Sequence, residues 1–426
     1  MKDYPNGLLF SSEIMEQVQD KFLYINEDKF VGTRLFFDNA GGSFRLKTIG
    51  EVFQDLDAIP DCPERIHKMA IYLQEVQKKG EDDIRLILNA PADGSIITSL
   101  TASQVMFQMV GTIAETVPGT NIVTTVLEHP SAFDAAEYYA KKTGRELRVA
   151  QSNPVTGGVD PETIANLIDE NTVLLSCMYA SNITGAIYDI EQIVRLARAK
   201  KPDLYIVVDC VQHAPHGVVD LMKTPVDAIN FAPYKFFGYR GSGIGWVSSR
   251  VAGMPHHKLT GNKANVWDLG SPAPAQYAAI TEIVNYVCWL GSQYIESDDR
   301  RTLFVEGMER IKLQERALLY RMLEGTEELP GIRHMKGVKV FLDYPDLTTR
   351  DFILAMGFEN LGYTQAVREY EKRGVIVYDR LATSIYSKRM LDSFGLNGAV
   401  RVSPLHCNTV EDIDQFLRVT QELAAL

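Results

Sequence analysis

The sequence predicts an α/β fold: a mainly parallel sheet of about seven strands with helices on both faces, plus a smaller C-terminal α/β domain. Three observations carry this. Between residues 48 and 290, helical and β-branched stretches alternate, with no internal repeat and no low-complexity segment. The β-branched runs are short and lie between stretches of helical periodicity, the pattern of crossover connections. Past residue 300 a long amphipathic stretch leads into a second, shorter alternation.

In chain order, residues 1–35 read as a short helix and a connector, with Ile14, Val18 and Phe22 at helical spacing. The apolar run Leu35-Phe36-Phe37 then breaks into Asp38-Asn39-Ala40-Gly41-Gly42-Ser43, a strand end and a tight loop. An ordinary turn is the plain reading. The functional one is a loop whose small residues, Asn39 and Ala40 among them, admit a ligand to the backbone.

Helices are expected over 66–78, 101–114, 131–142, 161–168 and 190–200. Strands are expected at 84–88, 122–126, 147–150, 173–178, 205–208, 228–231 and 244–247. An amphipathic helix over 301–324 is stopped by Gly325 and Pro330. Strands at 338–342, 375–378 and 399–402 build the smaller unit. The last helix should start at Asn408 as N-cap, with Glu411 three residues on, and turn Ile413, Phe416, Leu417 and Thr420 inward. The chain thus divides into an N-terminal segment (1–47) packing with the small domain, a large domain (48–300) and a small domain (301–426).

A chain of 426 residues can bury a large core and form two domains. Its 46% hydrophobic and 23% charged residues are ordinary for a soluble protein. A net charge of −12 without a long basic run argues against nucleic acid as partner. The five cysteines are scattered, odd in number and free of any CxxC pair; with Met1-Lys2-Asp3-Tyr4-Pro5 unlike a targeting segment, reduced thiols in the cytoplasm are expected. No apolar stretch is long enough to cross a bilayer.

Ligands of such sheets bind where strands end and loops open. Tyr205-Ile206-Val207-Val208-Asp209 is an apolar strand ending in an acid, and a second strand leads to Tyr234-Lys235 in a glycine-rich loop. A lysine amine can trap an aldehyde cofactor while a carboxylate keeps the cofactor's ring nitrogen protonated. Thr98 and Ser99, just ahead of a helix, suit a phosphate or a simple cap. His129 follows a strand and could stack on a flat heterocycle, or be a capped surface histidine. Asn182, in Ser181-Asn182-Ile183-Thr184-Gly185, could donate to a phenolic oxygen or serve an ordinary turn. Arg401, on an apolar strand, needs an acidic partner or a substrate carboxylate. His213 and His216 are interrupted by Pro215, so no metal is expected. Gly241-x-Gly243-x-Gly245 leads into a strand rather than a helix, and no GxxxxGK[ST] loop occurs, which excludes the dinucleotide and P-loop readings.

In this order the segments resemble the class V aminotransferase family of fold-type-I pyridoxal-phosphate enzymes, in its cysteine desulfurase-like branch. The matches are Phe37-Asp38-Asn39-Ala40-Gly41-Gly42, Thr98-Ser99-Leu100-Thr101, Leu127-Glu128-His129, Ser181-Asn182-x-x-Gly185 and Val208-Asp209-x-x-Gln212-x-x-Pro215-His216. Tyr234-Lys235-x-Phe237-Gly238, Asp268-Leu269-Gly270-Ser271-Pro272 and Arg401-Val402-x-x-x-His406-x-Asn408-Thr409 continue the series to the C-terminus.

The resemblance implies pyridoxal 5'-phosphate as cofactor, linked to Lys235, which also shuttles the substrate's Cα proton. Asp209 would pair with the ring nitrogen and His129 would stack on the ring. Gln212 and Asn182 would contact its O3′ side. Thr98, Ser99 and Tyr234 would hold the phosphate, with Ser271 reaching in from the partner subunit of a homodimer. Arg401 would bind the substrate carboxylate. Tyr234 stands where the branch usually has histidine. The loop 378–387, where desulfurases carry a nucleophilic cysteine, has none, and Cys407 lies beyond Arg401. Cysteine-dependent desulfuration is therefore disfavoured, while transamination, β-elimination (of a C–S bond, for example) and epimerisation stay open. A catalytically silent relative with the same fold is the rival reading.

Overall fold

The structure is a computed structural model that describes residues 6–60 and 62–426, so the reading of Met1–Pro5 lies outside it. At its centre are seven strands: β1 (Ser95–Ser99), β2 (Asn121–Thr125), β3 (Glu146–Ala150), β4 (Thr172–Met178), β5 (Tyr205–Asp209), β6 (Ala228–Phe231) and β7 (Gly243–Val247). They lie in the order β1-β7-β6-β5-β4-β2-β3. β2 to β6 pair in parallel, and β7 runs antiparallel to both neighbours, which returns β1 to the common direction. β4 is buried along its whole length, as a central strand covered on both faces must be.

The count of seven holds, but its membership differs from expectation. Residues 84–88 are not a strand; they end the helix Lys68–Leu88, and β1 supplies the seventh member. Gly80 would ordinarily weaken a helix interior. Here the helix Pro274–Ser292 crosses so closely that a Cβ on Gly80 would stand 2.5 Å from Tyr277 Cβ. Lys78–Asp82 and Lys79–Asp83 pairs carry the helix past that point, and Asn89, left-handed at φ 44°, ends it.

Four further strands, β8 (Val338–Phe341), β9 (Leu354–Phe358), β10 (Tyr378–Leu381) and β11 (Gly398–Val402), form an antiparallel sheet in the order β8-β9-β11-β10. The stretch read as one strand at 375–378 splits between two sheets. Val375–Ile376 pairs in parallel with Leu35–Phe36, and β10 pairs with β11. The N-terminal residues serve both cores: Phe10, Val18, Phe22 and Phe44 join the core of the large sheet, whereas Leu35 and Phe37 join that of the smaller one. The helix Arg300–Glu324 likewise buries Phe304, Met308 and Ile311 in the first core and Leu318, Met322 and Leu323 in the second. In the final helix, Val410–Ala424, the N-cap is Thr409, one residue later than expected, with Asp412 closing a capping box. Ile413, Phe416, Leu417 and Thr420 are buried, as their spacing requires.

Because β1 to β6 share a direction, the loops after β1, β2, β4, β5 and β6 and the loop before β7 open at one edge of the large sheet. The smaller sheet approaches that edge: Ala186 bridges to Arg350, and Arg401 of β11 donates to the Asn182 carbonyl at 3.2 Å.

Candidate active site

A cavity of about 390 Å³ opens at this edge, lined by His129, Asn182, Asp209, Gln212, Tyr234 and Lys235 among others. After β6, the tight turn Pro233–Lys235 folds the lysine back into the sheet's edge, so Lys235 is buried. Phe237, two residues on, has φ +62°, a left-handed conformation that costs a bulky residue about 1–3 kcal/mol. It is held there by Ser43 Oγ, which accepts from its N–H at 2.9 Å, and by edge-on contacts with Phe22, Tyr286 and His406.

Lys235 Nζ donates to Gln212 Oε1 at 3.2 Å. Burial, then the positive charge of Arg401, brings the amine down to about 7; Asp209 opposes this, and Arg380 adds to it. Near neutral pH a large share of this lysine is therefore a free, nucleophilic amine. Asp209 closes β5 and is buried, which raises its carboxyl, while the Val211 N–H at 3.0 Å and the nearby lysine resist the rise. A buried carboxylate facing a cavity is best stabilised by a cation placed there. His129 is an N-cap whose Nδ1 lies 2.7 Å from Ser131 Oγ. Burial, reinforced by Lys235, Arg380 and Arg389, drops it to about 3, so the ring that lines the cavity is neutral.

The other expected residues divide. Asn182 lines the cavity, and its Oδ1 has no hydrogen-bond partner. Thr98 and Ser99 are not brought into this cavity. They border a neighbouring one of about 570 Å³ together with Ser271, and Thr98 Oγ1 donates to Asp268 at 2.6 Å. β1 runs through Ser99, and the following helix begins only after its N-cap Thr101. The free N–H groups of that 15-residue helix, Ala102–Thr116, therefore start near 102, where Thr101, Ala102 and Ser103 do line the first cavity. Asn39, Ala40 and Arg401 are not among the residues that line the cavity. Asn39 donates to the carbonyls of Phe36 and Ser403 and accepts from Phe44 N, and Ala40 N donates to Ser403 Oγ. Arg401 Nη2 donates to Asp38 Oδ1 at 2.6 Å. Gly41 makes room for that pair, since a Cβ there would lie 3.1 Å from Asp38 Oδ2.

Two residues escaped the sequence reading: Arg240 and Ser242. Arg240 lies over the Tyr234 ring at 4.2 Å and lines the cavity. Ser242 lines it too, with its buried hydroxyl unpartnered. The polar, glycine-rich run after Lys235 was the available signal for both.

The donor set fits pyridoxal phosphate: one cavity is lined by an amine near neutrality, a buried acid, a neutral imidazole, a helix start and a buried, unpartnered hydroxyl. Among the described residues no group of histidine, cysteine and acidic side chains could hold a metal ion.

Comparison with known proteins agrees. The pattern of the family described as aminotransferase class-V matches residues 35–416. Aminotransferase-like protein FGM3 of Gibberella zeae is 25% identical over 422 residues, 96% of this chain and 98% of that protein. A probable cysteine desulfurase of Borreliella burgdorferi is 27% identical over 300 residues, 63% of this chain and 69% of its own. Among solved structures, the apo cysteine desulfurase of Thermococcus onnurineus superposes with a TM-score of 0.80 at 19% identity, over 96% of this chain and 98% of its own. With the matched span, the fold and the lysine–acid cavity in agreement, the chain belongs to the class-V aminotransferase family of pyridoxal-phosphate proteins, with cysteine desulfurase-like relatives.

Proposed function

We propose that this chain is a pyridoxal-phosphate enzyme that transforms an amino acid bearing a free α-carboxylate, by transamination or by β-elimination of the C–S type. The observation that carries it is the buried Lys235 amine, near neutrality, in one cavity with Asp209 and His129. Bound pyridoxal phosphate supplies an electron sink that acidifies the substrate's Cα–H. Asp209 would hold the ring nitrogen's proton, and His129 would cover one ring face and exclude water from it. Asn182 and Gln212 would orient the ring's phenolic side. The start of the helix Ala102–Thr116, with Tyr234 and Ser242, would hold the phosphate; Thr98 and Ser99 would support that start. Arg401 would orient the α-carboxylate, and the loop of Asn39 and Ala40 would hold the Asp38–Arg401 pair in place. Lys235, released, would carry the proton at Cα.

A thiol-dependent desulfurase is disfavoured. No cysteine lines the cavity, and burial pushes Cys177, Cys210 and Cys407 well above the usual thiol range. We read the protein as a cytoplasmic homodimer in which Ser271 reaches the partner's phosphate site; no described helix is long and apolar enough to cross a membrane.

Two measurements test this. Holoprotein should show visible absorbance that borohydride abolishes, fixing cofactor to the chain, and Lys235→Ala should prevent that fixation. A panel of amino acids, read for keto acid, ammonia, sulfide and chirality, should then show turnover. A cofactor fixed equally well to Lys235→Ala, or no turnover on any amino acid, rejects the reading.

A further inference from the structure

Glu128 is a buried carboxyl that the reading above leaves unused. It lies between β2 and the helix Pro130–Lys142, immediately before His129, with no exposed surface. Its Oε1 accepts from Thr125 Oγ1 at 2.7 Å and from the Met178 N–H at 2.9 Å. Its Oε2 is buried and has no hydrogen-bond partner. Arg389, on the helix Lys388–Ser393, directs its guanidinium to the backbone carbonyls of Val126 and Glu128. No cation forms an ion pair with the Glu128 carboxyl among the described residues.

Met178 sets this carboxyl beside the site. β4 lies between β2 and β5, and Met178 is the register partner of Asp209. Glu128 therefore meets the end of β4 from the β2 side and Asp209 from the β5 side, while Met178, Asp209 and His129 all line the cavity. The two acids are not equal. Asp209 borders the cavity, where a cation can reach it, and accepts from the Val211 N–H at 3.0 Å. Glu128 is enclosed by protein. An ionised carboxylate with a bare oxygen in a dry interior is strongly disfavoured, whereas the protonated form leaves only a neutral hydroxyl there. Of two neighbouring acids, the one with less to stabilise its charge keeps the proton. Burial, and then the charge of Asp209, raises Glu128 to about 8 against the Thr125 and Met178 hydrogen bonds and the Arg389 charge. Cys177 and Tyr188, buried around it, are held well above their ordinary ranges and so stay neutral.

We propose that Glu128 is a positioning residue that works as a neutral acid: it keeps its proton, braces the His129 turn against Met178, and leaves Asp209 as the single anion at this end of the cavity. What Asp209 then holds rests on the pyridoxal-phosphate reading above; the protonation of Glu128 does not.

Infrared difference spectra of wild type and Glu128→Gln test the charge state. Wild-type apoprotein at about pH 6 should show a protonated-carboxyl stretch that Glu128→Gln lacks and that fades as the pH passes about 8. Stability gives an independent reading. Between the ordinary value of 4.5 and about 8 the folded state keeps a proton that the unfolded state has lost, so this group makes stability fall as pH rises. The denaturation midpoint of Glu128→Gln apoprotein should therefore draw ahead of wild type across that window and hold its lead above it. In the holoprotein, Glu128→Gln keeps a neutral brace, so at about pH 7 it should bind pyridoxal phosphate about tenfold or more tightly than Glu128→Ala. Identical carboxyl bands in wild type and Glu128→Gln overturn the proposal. So does a midpoint difference that is constant with pH, or a cofactor affinity equally weak in both variants. Should Glu128→Gln fail to fold, the fading of the wild-type band with pH decides alone, and its absence rejects the neutral acid. The infrared and stability arms use apoprotein, so a chain that fixes no cofactor through Lys235 is reported separately by the borohydride experiment.

Discussion

Lys235 ties the residue-scale chemistry to pH. In an unfolded chain its amine keeps the ordinary value of 10.5, and in the folded protein it falls to about 7. Between these values the unfolded state binds one more proton than the folded state, so this group makes stability rise with pH. Below about 7 both states are protonated and the full cost of burying the cation is present; above about 10.5 it is gone. Apoprotein Lys235→Met should therefore exceed wild type in denaturation midpoint most below pH 7, with the gain shrinking toward pH 10.5. A pH-independent difference would show that the amine is solvated. The same depression sets cofactor capture: the rate at which apoprotein takes up pyridoxal phosphate should climb through about pH 7 rather than pH 10.5, followed by the growth of absorbance. Lys235 and Asp209 were legible in the sequence because one follows a strand by a tight turn and the other closes a strand at the sheet's open edge. Arg240 was not, because an arginine in a polar loop acquires meaning only from the fold that lays it over the Tyr234 ring and along the cavity.

At the scale of elements, the turn after β4 couples the two sheets. Gly185 has φ +75°, and a Cβ there would sit 2.7 Å from the carbonyl oxygens of Asp351 and Ile353. Its own carbonyl accepts from Asp351 N at 2.9 Å, and Ser181 Oγ accepts from the N–H of Thr184 within the same turn. Gly185→Ala should cost about 1–3 kcal/mol, from the left-handed backbone and the displaced carbonyls together. A denaturant midpoint shifted by less than a tenth of that would show the turn to be loose. The turn also fixes Asn182, so the variant should lose cofactor affinity along with stability. The helix Lys68–Leu88 shows the reverse case. Gly80 and the β-like residues after it mislead a local reading, because the reason for the glycine is another helix passing over it.

For the whole molecule, charge and surface point the same way. The chain carries a net charge of −12, yet the cavity is lined by two basic side chains, Lys235 and Arg240, against one acid, Asp209, a local balance opposite to the global one. Such a balance draws anionic substrates and is weakened by salt. The second cavity has Leu100 and Leu269, 70% and 52% exposed, on its rim beside Ser271. Apolar residues at a wide mouth next to the site are what a second copy would cover. Sedimentation should give a mass about twice 47.7 kDa. A monomer that still binds cofactor would remove Ser271 from the site.

Alternating periodicity by itself determined the α/β class, the open edge and the strand-end residues that meet there, since burial on both faces forces apolar strands and leaves polar residues at their ends. The position of the helix start that borders the cavity, the loops that Asn39 and Ala40 serve, and the lodging of Glu128 against the Met178 N–H were decided only by tertiary structure. Each depends on register or on the approach of distant segments, and neither leaves a trace in local composition.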